Sequence, residues 1–167
     1  MSSYKIRVEK EYFNFSCAHF LIFEDGTREP LHGHNYWAWV EVEGSLGPGH
    51  YVLDYITFKP IVKRICDDLD HKMLIPARSE FLKVESEGGQ IRIEHHLGGG
   101  FSFPEEDSLV LEIANTSTEL LANHIAHRIY EELTKQGKSG HLTTITVGVE
   151  EAPGQQSSFR YDVPVDL

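Results

Sequence analysis

The 167-residue chain has 26 acidic and 15 basic side chains, a formal net charge of −11 at pH 7, and 40% hydrophobic residues. This length and composition fit one globular domain of residues 1–167, and the negative charge argues against a general nucleic-acid binder because it repels phosphate backbones. Two cysteines, Cys17 and Cys66, are too few for a disulfide scaffold. The sequence also lacks a signal-peptide core and any apolar run of about 18 residues. We therefore expect a cytoplasmic protein that does not bind membranes.

Alternating apolar side chains predict two long strands at the start of the chain. The first runs from Lys5 to His19 with a bulge near residues 10–12, and the second runs from Leu31 to Glu43. Trp37 and Trp39 lie on one face of the second strand, and further apolar residues lie on the other. We therefore expect both faces of that strand to be covered.

Two amphipathic helices and a final strand complete the predicted elements. The first helix spans Thr57 to Leu69, with its first residue as the N-cap, and the second begins at the capping-box sequence 116–119. Between them lies a β-rich insert of about residues 76–113, in which we expect one or two hairpins. A strand from Thr143 to Glu151 and a short stretch over 157–163 follow. Two helices on one face of an antiparallel sheet make this an α+β fold.

Three of the ten histidines form a pattern typical of a metal site. His32 and His34 are two residues apart on a strand and therefore point to the same face, and His19 ends the neighbouring strand. Three neutral imidazoles with an open fourth position are the usual ligands of a catalytic zinc ion. The spacing alone also fits surface or hydrogen-bonded histidines.

Six short motifs occur in order along about residues 5–162, outside the insert. They are Phe15–His19, Leu31–Tyr36, Val52–Tyr55, Leu69–His71, Asn115–Ala122 and Val147–Glu151. Together they resemble the 6-pyruvoyltetrahydropterin synthase / 6-carboxytetrahydropterin synthase family. The resemblance implies the tunnelling fold (T-fold), in which a trimer closes a β-barrel and two trimers stack into a homohexamer. It also implies a zinc ion bound by His19, His32 and His34.

The resemblance further implies which residues bind the pterin. Glu151 matches the family's anchor, a carboxylate that accepts the ring N–H and the amino group of the pterin together. Glu150 is the alternative if the strand register slips by one residue. Ser117 and Thr118 match hydroxyl positions beside the pterin, although helix capping explains these two residues almost equally well.

The residues implied for proton transfer depart from the usual family pattern at one position. Asp70 and His71 match the family's proton-transfer pair, although capping of the helix end would also explain them. Most members carry a catalytic Cys in the loop before the His-x-His motif, whereas this loop has no Cys and offers Glu29. We expect Cys17 to be a packing residue. A Glu in place of the Cys resembles the third branch of the family.

This resemblance implies a zinc-dependent lyase that converts 7,8-dihydroneopterin, or its triphosphate, to 6-hydroxymethyl-7,8-dihydropterin for folate synthesis. A carboxylate suits this reaction because it can take a proton while a C–C bond breaks in a retro-aldol step. Formation of 6-pyruvoyltetrahydropterin or 6-carboxytetrahydropterin stays open, because the missing thiol argues against both without excluding them. A non-catalytic pterin- or zinc-binding protein is disfavoured, since a binder needs no proton relay.

Overall fold

The computed structural model describes residues 3–164, and most of its strands belong to one six-stranded sheet. In chain order the elements are β1 (Tyr4–His19), β2 (His32–Gly44), α1 (Tyr55–Leu69), β3 (Lys72–Pro76), β4 (Leu82–Glu87), β5 (Gln90–His95), β6 (Gly100–Pro104), a 3-10 turn (Glu105–Asp107), β7 (Ser108–Leu111), α2 (Thr118–Lys135), β8 (Leu142–Ala152) and β9 (Gln155–Asp162). The strand order of the large sheet is β7-β3-β1-β2-β8-β9, while β4, β5 and β6 form a separate sheet. The apolar faces of α1 and α2 share one core with the large sheet. The predicted α+β fold is therefore confirmed.

The large sheet is antiparallel from β1 through β2 and β8 to β9, as expected. β3, however, runs parallel to both β1 and β7. β3 has no alternating pattern that would predict a strand, because its central residues 73–75 are all buried and form a continuous apolar run. Among residues 3–164, neither helix is long and apolar enough to cross a membrane.

The register between β1 and β2 positions the histidines. An irregularity between Glu9 and Asn14 confirms the predicted bulge, and beyond it the pairing places His19 opposite His32. Apolar residues of β2 are buried against the helices, but Trp37 on the other face is 42% exposed. The prediction that both faces of β2 are covered is therefore wrong for the single chain.

Both helices begin one or two residues away from the predicted positions. Asp54, not Thr57, is the N-cap of α1, because its carboxylate accepts a hydrogen bond from the Thr57 amide at 2.6 Å. α2 begins after Ser117, whose hydroxyl accepts from the Leu120 amide at 3.4 Å. Thr116, the first residue of the expected capping box, is instead fully buried.

The insert forms the three-stranded sheet β4-β5-β6 and then β7. Successive antiparallel pairings make two consecutive hairpins, which confirms the prediction for this segment. The three-stranded sheet has its own apolar core, to which β3 and the residues that follow β1 also contribute. The buried members are Phe20, Ile22, Met73, Ile75, Ile91 and Ile93. The insert is thus packed against the elements that lead into and out of the histidine region.

Candidate active site

Three histidine rings meet where β1 ends and β2 begins. One ring nitrogen each from His19, His32 and His34 lies within 4.8 Å of the other two. The ring centroids of His19 and His32 are 4.6 Å apart, and that of His34 lies 5.3 Å from His19. His19 is buried, and the other two rings are half-buried. The structure therefore brings together the three residues predicted to bind metal, and they could hold one ion.

Hydrogen bonds from Nδ1 to backbone carbonyls orient two of these rings. His32 donates from Nδ1 to the Pro30 carbonyl at 2.8 Å, and His19 donates from Nδ1 to the Thr116 carbonyl at 3.1 Å. In a neutral ring this leaves Nε2 without a proton, as a metal ligand requires. His34 Nε2 is buried and has no hydrogen-bond partner among residues 3–164. Because an orphaned buried nitrogen is costly, this donor set fits a metal ion such as zinc.

Two residues without a predicted role contact His19. The Tyr36 hydroxyl lies 3.0 Å from Nε2, and the Thr116 hydroxyl lies 3.3 Å from Nδ1. Burial lowers the pKa of His19, which favours the neutral ring that a metal ligand requires. Tyr36 follows His34 by two residues on β2 and so lies on the same face, whereas no sequence pattern indicates the contact of Thr116.

Two carboxylates flank the histidines. Glu151 Oε1 lies 3.5 Å from His34 Nε2, and Glu29 Oε2 lies 3.8 Å from His32 Nε2. The Leu21 amide donates to Glu29 Oε2 at 3.2 Å and holds that side chain in place. The structure therefore places the residue predicted as the base and the residue predicted as the pterin anchor beside the candidate metal centre.

Glu150 and Glu151 have different surroundings. Glu150 accepts a hydrogen bond from the Gly154 amide at 3.0 Å and so stabilises the turn between β8 and β9. The register of β8 against β9 shifts between Glu150 and Ala152. Of the two neighbouring carboxylates, Glu151 is the one in contact with His34.

Asp70 and His71 form a tight pair at the end of α1. His71 Nδ1 lies 2.8 Å from Asp70 Oδ2, and the Ser16 amide donates to Asp70 Oδ1 at 2.7 Å. Partial burial opposes ionisation of Asp70, but the hydrogen bonds from Ser16 and His71 outweigh it and hold the pKa of this carboxyl below its ordinary value. Asp70 is also the C-cap of α1, so a capping role and a proton-transfer role are compatible.

His71 adopts the left-handed backbone conformation, with φ of 56°, which is uncommon for a residue other than glycine. Its side chain is 82% exposed. Among residues 3–164, no hydrogen bond or ion pair joins His71 to the three histidines of the metal centre. His71 instead lines an open cavity of about 500 Å³ with Ser16, Gly33 and Asn35. Strand alternation places these three residues on the face of the sheet opposite to the rings of His19, His32 and His34.

The remaining predicted residues have structural contacts. Ser117 caps α2, and the Thr118 hydroxyl lies 3.4 Å from a Glu119 carboxylate oxygen. Cys17 is buried, and burial raises the pKa of its thiol to about 12, with further contributions from the charges of Asp70 and Glu151. A thiol with this pKa is not ionised near neutral pH, in agreement with a packing role.

Comparisons with known proteins agree with this arrangement. The family described as PTPS, 6-pyruvoyl tetrahydropterin synthase, matches residues 7–162. This chain belongs to the 6-pyruvoyl tetrahydropterin synthase family. It is 34% identical over 147 residues to a putative 6-carboxy-5,6,7,8-tetrahydropterin synthase of Methanocaldococcus jannaschii, covering 87% of this chain and 88% of that protein. It is also 38% identical over 61 residues to a dihydroneopterin monophosphate aldolase of Pyrococcus furiosus, covering 36% of this chain and 51% of that protein.

Solved structures confirm the family fold. The 6-pyruvoyl tetrahydropterin synthase of Plasmodium falciparum superposes with a TM-score of 0.87 at 36% identity, covering 98% of this chain and 100% of that chain. A variant of the Plasmodium vivax enzyme has the same TM-score and coverage at 29% identity, and it is described as a catalytic residue mutant in which a glutamate is replaced by alanine. The chain is therefore a T-fold member of a family of pterin-biosynthesis lyases.

Proposed function

We propose that this protein is a zinc-dependent lyase that cleaves the side chain of 7,8-dihydroneopterin, or of its phosphate esters, to 6-hydroxymethyl-7,8-dihydropterin. The position of Glu29 carries the proposal, because its carboxylate lies 3.8 Å from His32 Nε2 in the loop where most family members have a Cys. Two relatives support it. One has a catalytic glutamate, and the other is a dihydroneopterin monophosphate aldolase.

In this proposal His19, His32 and His34 hold the zinc ion. When bound, zinc supplies Lewis acidity that lowers the pKa of the substrate's side-chain hydroxyls. Glu29 takes the proton from the hydroxyl on the second side-chain carbon, and that carbon becomes an aldehyde as its bond to the first carbon breaks. The electron pair of the broken bond moves into the pterin ring, and the first carbon then gains a proton. The products are 6-hydroxymethyl-7,8-dihydropterin and a two-carbon aldehyde.

Other residues bind the substrate and return the proton. Glu151 accepts the two adjacent donors of the pterin, and Ser117 and Thr118 supply hydroxyls beside the ring. Asp70 holds His71 by its Nδ1, which leaves the opposite ring nitrogen to exchange protons with the substrate.

We also propose that the protein assembles as a homohexamer of two stacked trimers, with its sites at subunit boundaries. β7 and β9 are the edge strands of the large sheet, and edge strands are natural sites of pairing between subunits. The exposed Trp37 on the uncovered face of β2 also favours burial against another subunit. Light scattering after size-exclusion chromatography should give six times the chain mass of 19.0 kDa. A monomer would contradict this assembly.

Product analysis tests the proposed reaction. Zinc-loaded protein is incubated with 7,8-dihydroneopterin, its monophosphate or its triphosphate, and the products are separated by chromatography and identified by mass. We expect 6-hydroxymethyl-7,8-dihydropterin. Glu29→Gln should lower turnover about 10²- to 10⁴-fold while zinc content and fold are kept. Glu24→Gln, which changes an exposed carboxylate of the same loop, is the matched control and should be active. Full turnover by Glu29→Gln would refute the proposal.

A second candidate is 6-carboxytetrahydropterin synthesis. The relative from Methanocaldococcus jannaschii favours it, since the similarity covers most of both chains. The same assay distinguishes the reactions, because the carboxy product is accompanied by both acetaldehyde and triphosphate, whereas the pyruvoyl product is accompanied by triphosphate without acetaldehyde. Absence of any product from all three substrates would indicate a non-catalytic pterin- or zinc-binding protein.

A further inference from the structure

The connection between β1 and β2 folds into a short hairpin, here named the β1–β2 hairpin (residues 21–29). Ile22 pairs with Arg28 in an isolated bridge. At the tip, the carbonyl oxygen of Gly26 accepts hydrogen bonds from His95 Nε2 at 2.8 Å and from His96 Nε2 at 3.0 Å. Both histidines belong to the insert, at the end of β5 and in the turn that follows. Two imidazoles of the insert therefore converge on one carbonyl of the hairpin.

A second contact joins the insert to the same hairpin near Glu29. The Arg28 guanidinium lies 4.6 Å from the ring centroid of Phe101 on β6 and 5.9 Å from that of Phe20. It also donates to the Glu29 carbonyl at 2.9 Å. On the other side, the Glu29 amide donates to the Leu21 carbonyl at 2.9 Å. Both backbone groups of Glu29 are thus held, one of them by a side chain that stacks on the insert.

The approach of the insert to the hairpin tip requires a glycine. Gly26 is buried and has φ of 79°, a conformation that residues with a Cβ rarely adopt. A Cβ at this position would lie 2.5 Å from His96 Nε2 and 3.1 Å from a ring carbon of Phe81. The close contact between Gly26 and His96 therefore depends on the absence of a side chain.

The insert is a firm support for these contacts. Its residues Ile91 and Ile93 are buried in a core with Phe20 and Ile22, which flank the start of the hairpin. Asn115 fixes the same end, because its side chain accepts from the Ile22 amide at 3.1 Å and donates to the Ile22 carbonyl at 2.8 Å. Because the base and the tip of the hairpin are both anchored, Glu29 has little freedom to move.

We propose that the insert acts as a clamp on the β1–β2 hairpin, and that His95 and His96 are positioning residues that hold Glu29 at the metal centre. This inference rests on the proposed role of Glu29 as the base. Glu29 lies three residues from the clamped carbonyl of Gly26, so release of the tip would loosen the strand that carries it and weaken the hydrogen bond from the Leu21 amide to its carboxylate. Such loosening matters, since a displacement of about 1 Å in a reacting group can cost about 10²-fold in rate.

The test compares variants that remove the two donors with variants that keep them. The double variant His95→Leu/His96→Leu should lower kcat about 10- to 100-fold on the best dihydroneopterin substrate, with KM and zinc content nearly unchanged. His95→Gln/His96→Gln keeps an amide N–H at a similar reach and should recover most of kcat. Leu97→Ala, in the exposed part of the same turn, is the control that should leave kcat unchanged. Amide hydrogen exchange over residues 22–29 of metal-free protein should accelerate only in the Leu variant.

The same two Leu substitutions made in the Glu29→Gln variant distinguish a positioning role from a general loss of structure. In Glu29→Gln protein, the two Leu substitutions should have no further effect on kcat, because the group that they position is already absent. Additive losses, or unchanged kcat in the Leu variant, would overturn the clamp. If the double variant unfolds, the single His96→Leu variant at the exposed ring provides the same comparison. Full turnover by Glu29→Gln would instead refute the proposed function, and hydrogen exchange would still decide whether the insert holds the hairpin.

Discussion

Replacing Glu151 by Gln tests how the pterin is held. The change exchanges one carboxylate oxygen, an acceptor, for an amide NH₂ that donates towards the two donors of the pterin. A buried donor left without an acceptor costs about 1–3 kcal/mol, and 1.4 kcal/mol corresponds to about a tenfold change in Kd. The Glu151 side chain is 28% exposed, so water relieves part of the mismatch. We therefore expect affinity for the pterin ring to fall about tenfold.

The assay is an equilibrium titration of zinc-loaded protein with a pterin that lacks the reactive side chain, followed by pterin fluorescence. Glu150→Gln is the matched control, because the amide keeps an oxygen that can accept from the Gly154 amide and the turn should survive. Zinc per chain is measured for both variants, since Glu151 lies 3.5 Å from His34 Nε2. Unchanged Kd in Glu151→Gln, or loss of affinity only in Glu150→Gln, would refute the anchor assignment.

Three further changes have clear expected outcomes. His32→Ala should abolish stable zinc binding and turnover, because two imidazoles rarely hold a catalytic zinc; one zinc per chain after dialysis would disprove the site. Cys17→Ala should leave turnover nearly unchanged. An inactive variant would instead indicate that the protein catalyses one of the thiol-dependent reactions of the family. Asp70→Asn should destabilise the fold above pH 3.8, the ordinary pKa, because the carboxylate bound by Ser16 and His71 has a lowered pKa. In urea unfolding, the difference from wild type should shrink as pH falls below that value; a constant difference would contradict this linkage.

Local periodicity was sufficient to place much of the candidate site. The alternation along β2 put His32 and His34 on one face, and the end of β1 brought His19 opposite His32 as expected. Glu29 and Glu151 could not be found in this way, because nothing local distinguishes a loop or strand-end carboxylate from a solvated one. Those two assignments came from ordered motifs that resemble a known family, and the structure places both carboxylates beside the histidines.

Contacts between distant segments could not be predicted from the sequence. Thr116 lies 97 residues from His19, and Gly26 lies 69 residues from His95, so neither contact has a periodic signature. Such contacts depend on how separately folded elements pack, and the insert gave only a general signal for hairpins. The predicted N-cap of α1 was wrong because the choice of cap also depends on the folded backbone. Both Asp54 and Thr57 are suitable caps, and only the backbone conformation decides between them.

The electrostatics of the site favour a carboxylate over a thiol as its base. Cys17 pairs with His34 across β1 and β2, but burial and the nearby charges of Asp70 and Glu151 raise the pKa of its thiol to about 12. To act as a base near neutral pH, it would first have to ionise in surroundings that oppose negative charge. Glu29 lies at the hairpin base, with a carboxylate oxygen 3.8 Å from His32 Nε2. The burial that keeps this thiol protonated therefore supports the proposal that Glu29 accepts the substrate proton.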